Sequence, residues 1–384
     1  MLQKLNIMDS PFVYGKIATD TSFTDREEET ASLVRDFRNL TNTVLISPRR
    51  WGKSSLVRRA AMKAMEEDPA LRICHVDIFN VRTEEEFYQK LAAEILRSTY
   101  TRLEDLLANA KKFISSIIPV ITVAGDNVSK VNISFQTKEV AQSADEILDL
   151  AEKIASEKNI KIVVCIDEFQ QIASFQDPDA FQAKLRSHWQ LHKRVAYCLY
   201  GSRRHMMMEV FTHVEKPFYK FGKTIFLEKI DKGHWPAFIR DKFRSTEKEI
   251  SLDQCEKIVK RVDNNPYYVQ QLSEEVWNRT SDVCEDKAID DAFMAIVSSQ
   301  AGLNLALTST LSITQQNLLN AIVNGEKELT SAAVLERYDL RNSLTVQRAK
   351  NALIKLDIID NFGKVITMED PIYEWWLKEV YFGS

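Results

Sequence analysis

The octamer Ser47-Pro48-Arg49-Arg50-Trp51-Gly52-Lys53-Ser54 constrains this chain most, because of what flanks it. The run before it, Thr43-Val44-Leu45-Ile46, is β-branched and apolar, as a buried parallel strand should be. The run after it, from Ser55, places Leu56, Val57, Ala60, Ala61, Ala64 and Met65 on one helical stripe. Strand, tight loop and helix form the setting in which backbone N–H groups and a helix N-terminus converge on phosphate oxygens. Pro48, Arg49, Arg50, Trp51, Gly52, Lys53, Ser54 and Ser55 are the candidate lining of that loop. Lys53 is placed to reach the β- and γ-phosphates of a nucleoside triphosphate, and the Ser54 hydroxyl to ligate Mg²⁺. The first glycine of the usual G-x-x-x-x-G-K-[ST] pattern is Ser47 here, a small residue read as a tolerated replacement.

A second motif supports the first. Lys161-Ile162-Val163-Val164-Cys165-Ile166-Asp167-Glu168 is a continuous apolar strand ending in two acids, and open α/β sheets bind ligands at the carboxyl ends of their strands. Asp167 is expected to hold Mg²⁺, and Glu168 to polarise the water that attacks the γ-phosphate.

Net charge is −4, which argues against bulk attraction to nucleic acid and leaves room only for local basic patches. The cysteines Cys74, Cys165, Cys198, Cys255 and Cys284 are widely spaced, and three lie in strand-like runs. They read as reduced core residues of a cytoplasmic protein. The six histidines are read as forming no H-x-x-x-H or Cys/His ligand set, so Mg²⁺ is the one metal expected. Residues 1–10 mix charged and polar side chains unlike a leader, and the longest apolar stretch, Phe113 to Ala124, is short and broken by Pro119, so no membrane span is expected.

The pattern predicts an α/β class with three parts: an α/β sheet domain over residues 1–230, a helical lid over 231–311 and a winged helix over 312–384. Strands are expected at Thr43–Ile46, Ile73–Phe79, Ile162–Asp167, Val195–Tyr200 and Thr224–Leu227, with capping boxes at Thr83/Glu86 and Ser143/Glu146. Val120–Val123 and Val131–Phe135 flank a Gly125-Asp126-Asn127 turn and read as an inserted hairpin. Lid helices are expected at Trp235–Phe243, Leu252–Val262, Tyr267–Trp277 and Ala288–Ser298. Helices at Thr314–Val323, Ser331–Tyr338 and Ser343–Leu356 then precede a hairpin of Ile358–Asn361 and Lys364–Thr367.

Together these residues resemble the AAA+-related ATPases of the STAND group, in the archaeal-type clade also found in many bacteria. The resemblance rests on Pro11–Gly15, Phe23–Glu29, the Ser47–Ser55 loop, Asp167-Glu168-Phe169-Gln170, Tyr200-Gly201-Ser202, Asn264-Asn265-Pro266-Tyr267-Tyr268 (Asn264 in place of the usual glycine) and Asp370–Leu377. It implies a P-loop sheet, a helical lid and a winged helix that bind ATP or ADP with Mg²⁺. It also implies that Phe23 and Arg26 shape the adenine pocket and that Pro266 opens a lid helix facing the nucleotide. Many relatives carry an arginine after a P-L-Y-G run; the matching run here, Pro217–Phe221, has none. Arg203, Arg204 and Lys220 are therefore the candidates for charge at the γ-phosphate, with a solvated basic face as the plain alternative.

Ser202 follows an apolar strand and reads either as a γ-phosphate contact or as a strand-end turn. In the presumed recognition helix Val346, Ala349, Leu353 and Leu356 share one face; Arg348, Asn351 and Lys355 fall opposite, with Arg341 just before. That stripe suits DNA, although residues 312–384 carry ten Asp/Glu against eight Lys/Arg. The expectation is an ATP-hydrolysing switch acting on a protein partner, on a further copy of itself or on nucleic acid. Its rivals are a nucleotide-gated DNA-binding protein and a nucleotide-stabilised regulatory scaffold with negligible turnover.

Overall fold

The computed structural model describes residues 9–16, 24–102, 105, 112–113, 120–123, 131–134, 143–362 and 366–383. The chain forms two compact units: Arg26–Pro48 with Lys53–Glu228, and Met1–Asp25 with Arg49–Gly52 and Lys229–Ser384.

In the first unit β1 is Thr43–Ile46, β2 Leu71–Asp77, β3 Val120–Val123, β4 Val131–Ser134, β5 Lys161–Asp167, β6 Val195–Gly201 and β7 Lys223–Phe226. Five of these form one sheet in the order β2-β5-β6-β1-β7, and every pairing in it is parallel. The apolar runs explain this: β1 and β6 are buried along their whole length, as strands covered on both faces must be. β3 and β4 pair antiparallel as the expected hairpin; its turn, and Phe135, lie outside the described residues. The edge strand β2 starts at Leu71 and ends at Asp77, two residues earlier at each end than its apolar run indicated. Phe79 lies past its end and is exposed.

The helix Lys53–Glu67 buries Leu56, Val57, Ala60, Ala61 and Ala64. Met65, expected on that stripe, is 38% exposed, one position too far round the helix. Thr83 caps the helix Glu84–Thr99 through the Glu86 amide at 3.2 Å, but Glu86 reaches back to the Arg82 amide rather than to that of Thr83. The Ser143 start carries no side-chain cap hydrogen bond, because the helix there is only Ala144–Leu148 and Ser143 is not extended. A cluster of rings packs one side of the sheet, with Trp189 stacked on Tyr197 at 4.0 Å and Phe169, Phe211 and Phe218 beside them.

The second unit is helical: His234–Arg244, Leu252–Arg261, Pro266–Arg279, Asp286–Ser309, Ile313–Val323, Ala332–Arg337, Ser343–Lys355 and Pro371–Trp376, with β8 at Ile359–Asp360 and β9 at Thr367–Met368. Buried residues from Trp235 to Val297 and from Leu318 to Leu377 form one continuous apolar cluster. Asp286–Ser309 runs eleven residues past its expected end, through the exposed Leu303 and Leu305, which break the apolar period. Leu356 is likewise exposed: it is the C-cap of Ser343–Lys355, while Val346, Ala349 and Leu353 are buried as expected. The glycine-to-asparagine departure at Asn264 has a backbone reason. Its φ is 55°, a left-handed conformation that asparagine tolerates better than most residues, and its Nδ2 donates to the Ile230 carbonyl at 2.7 Å. Among the described residues no helix is long and apolar enough to cross a membrane, and all five cysteines are free and buried.

Candidate nucleotide site

β6 lies between β1 and β5, so the strand feeding the phosphate loop and the strand carrying the acids are not neighbours. The end of β6 fills the space between them. That topology, rather than any local signal, places Ser202 beside Glu168.

In the first unit the structure brings together Lys53, Ser54, Asp167, Glu168 and Ser202. Ser54 Oγ donates to Asp167 Oδ2 at 2.8 Å, and Asp167 Oδ1 accepts the Glu168 amide at 2.8 Å. Lys53 Nζ stands 3.6 Å from Glu168 Oε1 and is buried. Glu168 Oε2 accepts Ser202 Oγ at 2.7 Å, the Ser202 amide at 3.4 Å and Gln170 Nε2. Burial pushes the Asp167 carboxyl up, and the Lys53 charge and the Ser54 hydroxyl pull it only part of the way back. Burial acts the same way on Glu168, but there Lys53, Gln170 and Ser202 outweigh it and hold the group below the usual carboxylate range. Two adjacent acids are thus driven in opposite directions.

Ser47 is buried, its hydroxyl donates to the Pro48 carbonyl at 3.0 Å, and its backbone needs no positive φ. Gly52, at φ 83°, is the loop position that needs glycine. Ser55 and Pro48 are buried. Arg26 is 3% exposed, with one guanidinium nitrogen on Glu29 at 2.8 Å and another on the Glu228 carbonyl at 2.5 Å. Phe23 lies outside the described residues. Arg203 precedes the helix Arg204–Thr212; Arg204 is buried, and Lys220 is exposed with its amine over the Tyr219 ring. The Pro217–Phe221 run without an arginine is held by Arg186, which donates to the carbonyls of Pro217 and Tyr219 at 2.5 and 2.7 Å.

In the second unit the loop residues Arg49, Arg50 and Trp51 have partners of their own. Arg50 donates to Tyr268 Oη at 2.9 Å and to Asp370 Oδ2 at 3.1 Å, and lies 4.8 Å over the Tyr267 ring. Tyr268 Oη also bonds Asp370 Oδ2. Arg49 pairs with Asp357 at 3.3 Å, and the Lys229 amine lies over Trp51. Pro266 opens its helix at the first turn, with Asn265 as N-cap. Arg341, Arg348, Asn351 and Lys355 are all exposed.

Two features of the first unit carry no signal in the motifs. Gln170 stands in the quoted Asp-Glu-Phe-Gln box, yet nothing in the box says that its amide folds back onto Glu168. His188 and His192 do have H-x-x-x-H spacing, contrary to the expectation for the histidines. Both contact Asp149 Oδ1, at 2.8 and 3.3 Å, while His192 Nδ1 meets Tyr197 Oη at 2.9 Å. This is a hydrogen-bonded cluster, and no group of acid, histidine and cysteine side chains suited to a metal is found among the described residues.

A family model described as "ATPase domain predominantly from Archaea" matches residues 23–272, and one described as "Probable winged helix domain" matches residues 305–379. No curated protein sequence matches the chain significantly. Among solved structures, a Walker-type ATPase of Pyrococcus abyssi is similar in fold, with a TM-score of 0.66, 18% identity, and coverage of 94% of this chain and 99% of that one. The Aeropyrum pernix ORC2 protein, solved with ADPNP and ADP, superposes at a TM-score of 0.49 and 14% identity over 96% of this chain and 97% of that one. The ORC1 protein of the same organism, in complex with DNA, gives 0.49 and 12% over 95% and 94%.

Proposed function

The chain belongs to this predominantly archaeal family of P-loop ATPases, and from that membership we propose that it works as a nucleotide-dependent switch whose chemistry is carried by Lys53, Glu168 and Ser202. The observation that carries this reading is the convergence of Lys53, Ser54, Asp167, Glu168 and Ser202 at the carboxyl ends of three parallel strands. Lys53 would leave Glu168 for the β- and γ-phosphate oxygens. That exchange frees Glu168 Oε1, already held as a carboxylate, to take a proton from the attacking water. Ser202 would orient the water or the γ-phosphate. Ser54 Oγ and Asp167 Oδ2, two hard oxygen donors 2.8 Å apart, fit Mg²⁺, which when bound neutralises charge on the phosphate oxygens. Arg203 and Arg204 remain the candidates for further charge there; Arg26 and Phe23 would serve the base and Pro266 the lid.

The switch needs a mobile element biased by nucleotide. Support comes from Arg50, a phosphate-loop residue bonded to Tyr268 of the lid motif and to Asp370 of the closing segment. Hydrogen exchange at residues 264–275 and in the winged helix should slow with a non-hydrolysable ATP analogue and less with ADP. Equal protection in both states would refute the switch and favour a static scaffold. Glu168→Gln should retain ATP binding and lose about 10²-fold or more in turnover; unchanged turnover would remove Glu168 from the mechanism.

A second reading, DNA contact through the winged helix, is favoured by one observation: the exposed row of Arg341, Arg348, Asn351 and Lys355. Anisotropy titrations of duplex DNA at several salt concentrations test it. Replacing any one phosphate-binding Arg or Lys of that row by alanine should flatten the salt slope by about one.

A further inference from the structure

We propose that Gln170 is the positioning residue for Glu168: its amide clamps one carboxylate oxygen so that the other is left facing Lys53, and Gly201 is bare because the clamp needs that space. This rests on the reading of Glu168 as the residue that aligns the attacking water.

The geometry is local and rigid. Glu168 takes a left-handed turn at φ 57°, and the short helix Phe169–Ser174 begins at once. Phe169 is fully buried among Trp189, Phe211 and Phe218, which pins the turn to the core. Gln170 is therefore brought back beside the residue two before it. It is 3% exposed, and its Nε2 donates to Glu168 Oε2, the oxygen that also takes both Ser202 donors. A carboxylate with three donors on one oxygen cannot rotate without breaking them. Its second oxygen, 3.6 Å from Lys53, is thus fixed in direction.

Two further observations separate this from ordinary packing. Gln170 Oε1 is buried with no hydrogen-bond partner among the described residues. A glutamine retained only to fill space would be better replaced by an apolar residue of the same length, which leaves no acceptor unsatisfied. Second, a Cβ on Gly201 would stand 1.8 Å from that same oxygen. The strand end next to the site thus carries no side chain where the glutamine lies.

Gln170→Met tests the clamp, since it keeps length and bulk but removes the donor. ATP turnover should fall about 10-fold or more with KM for ATP within about twofold, because the lost orientation acts on the reacting geometry rather than on binding. In a Glu168→Gln background, measured by single turnover, the same substitution should add no more than about a twofold loss, since its effect passes through Glu168. Should Gln170→Met fail to fold by circular dichroism, Gln170→Asn, too short to reach, serves in its place with the same expected split. Wild-type kcat in the single variant, a rise in KM without a fall in kcat, or an equal loss in both backgrounds would overturn the clamp while leaving Glu168 in its role. Wild-type turnover in Glu168→Gln alone would bring down the role of Glu168, and the clamp with it.

Discussion

Substituting Gly201 by alanine should displace Gln170, and the size of the effect follows from three distances. An alanine Cβ would lie 1.8 Å from Gln170 Oε1, 3.0 Å from its Cδ and 2.8 Å from Met207 Sδ. Gly201 does not occupy the left-handed region, so alanine brings no backbone penalty and the whole cost is steric. No neighbour at 1.8 Å can stay, and Gln170 must leave Glu168. Overpacking of this kind costs typically about 1–3 kcal/mol, and the lost hydrogen bond to a charged group falls in the same range. Removing the glutamine first changes the sum. In a Gln170→Ala background only the flexible Met207 sulfur remains close, so Gly201→Ala should cost below about 1 kcal/mol. The cycle should therefore show a coupling of about 1–2 kcal/mol between the two sites, well outside the additivity expected of independent residues. Urea unfolding of the four nucleotide-free proteins, followed by circular dichroism and compared through midpoints at constant m, measures it. Additive losses within about 0.5 kcal/mol would refute the placement of Gln170 against Gly201.

Lys53→Ala should abolish ATP binding by calorimetry without loss of helical signal, and unchanged nucleotide affinity would dismiss the loop lysine. Burial pushes His75 down to about 4, against about 6.5 when unfolded, so the fold favours its neutral form. Its share of stability is complete above about pH 6.5 and is lost as pH falls toward 4, at up to about 1.4 kcal/mol per pH unit. His75→Phe should flatten the unfolding profile in that window, and parallel profiles for the two proteins would contradict this. Asp370 Oδ1 caps its helix through the amides of Ile372 and Tyr373, at 2.9 and 3.1 Å, while Oδ2 meets Arg50. Asp370→Asn keeps the cap and should destabilise by about 1–2 kcal/mol, because it removes both the half-exposed ion pair with Arg50 and the acceptor of the buried Tyr268 hydroxyl; Asp370→Ala should cost about 1 kcal/mol more. Equal melting of the two variants would deny the cap.

What could be read in the sequence was what is local. The Thr43–Ser54 strand and loop and the Lys161–Glu168 strand each carry their structure in consecutive residues, and the sheet was built from them as expected. Edges were less legible: β2 opens on the buried Leu71 followed by the exposed Arg72, so its apolar run marked the wrong start. Pairings between distant positions were invisible. Nothing near Arg50 points to Asp370, and Ser202 reaches Glu168 only because β6 is interposed between two other strands. Gln170 sat inside a motif already noticed. Its role was hidden because a turn at positive φ, rather than a strand or helix period, decides where it points.

The interposed strand also bears on how the protein is made. β1 has two neighbours, β6 and β7, which lie some 150 residues or more downstream. Chains are made from the N-terminus and their domains fold as units. A ribosome that has delivered residues 1–194 has released the pair β2–β5 with its acids, while the phosphate loop still hangs from a strand with nothing to pair against. Nucleotide therefore cannot template the early folding of this chain. It can stabilise only a sheet whose last strands have arrived, by mass action on the finished pocket. In a cell, ATP would thus protect finished molecules from proteolysis and leave nascent or truncated ones exposed.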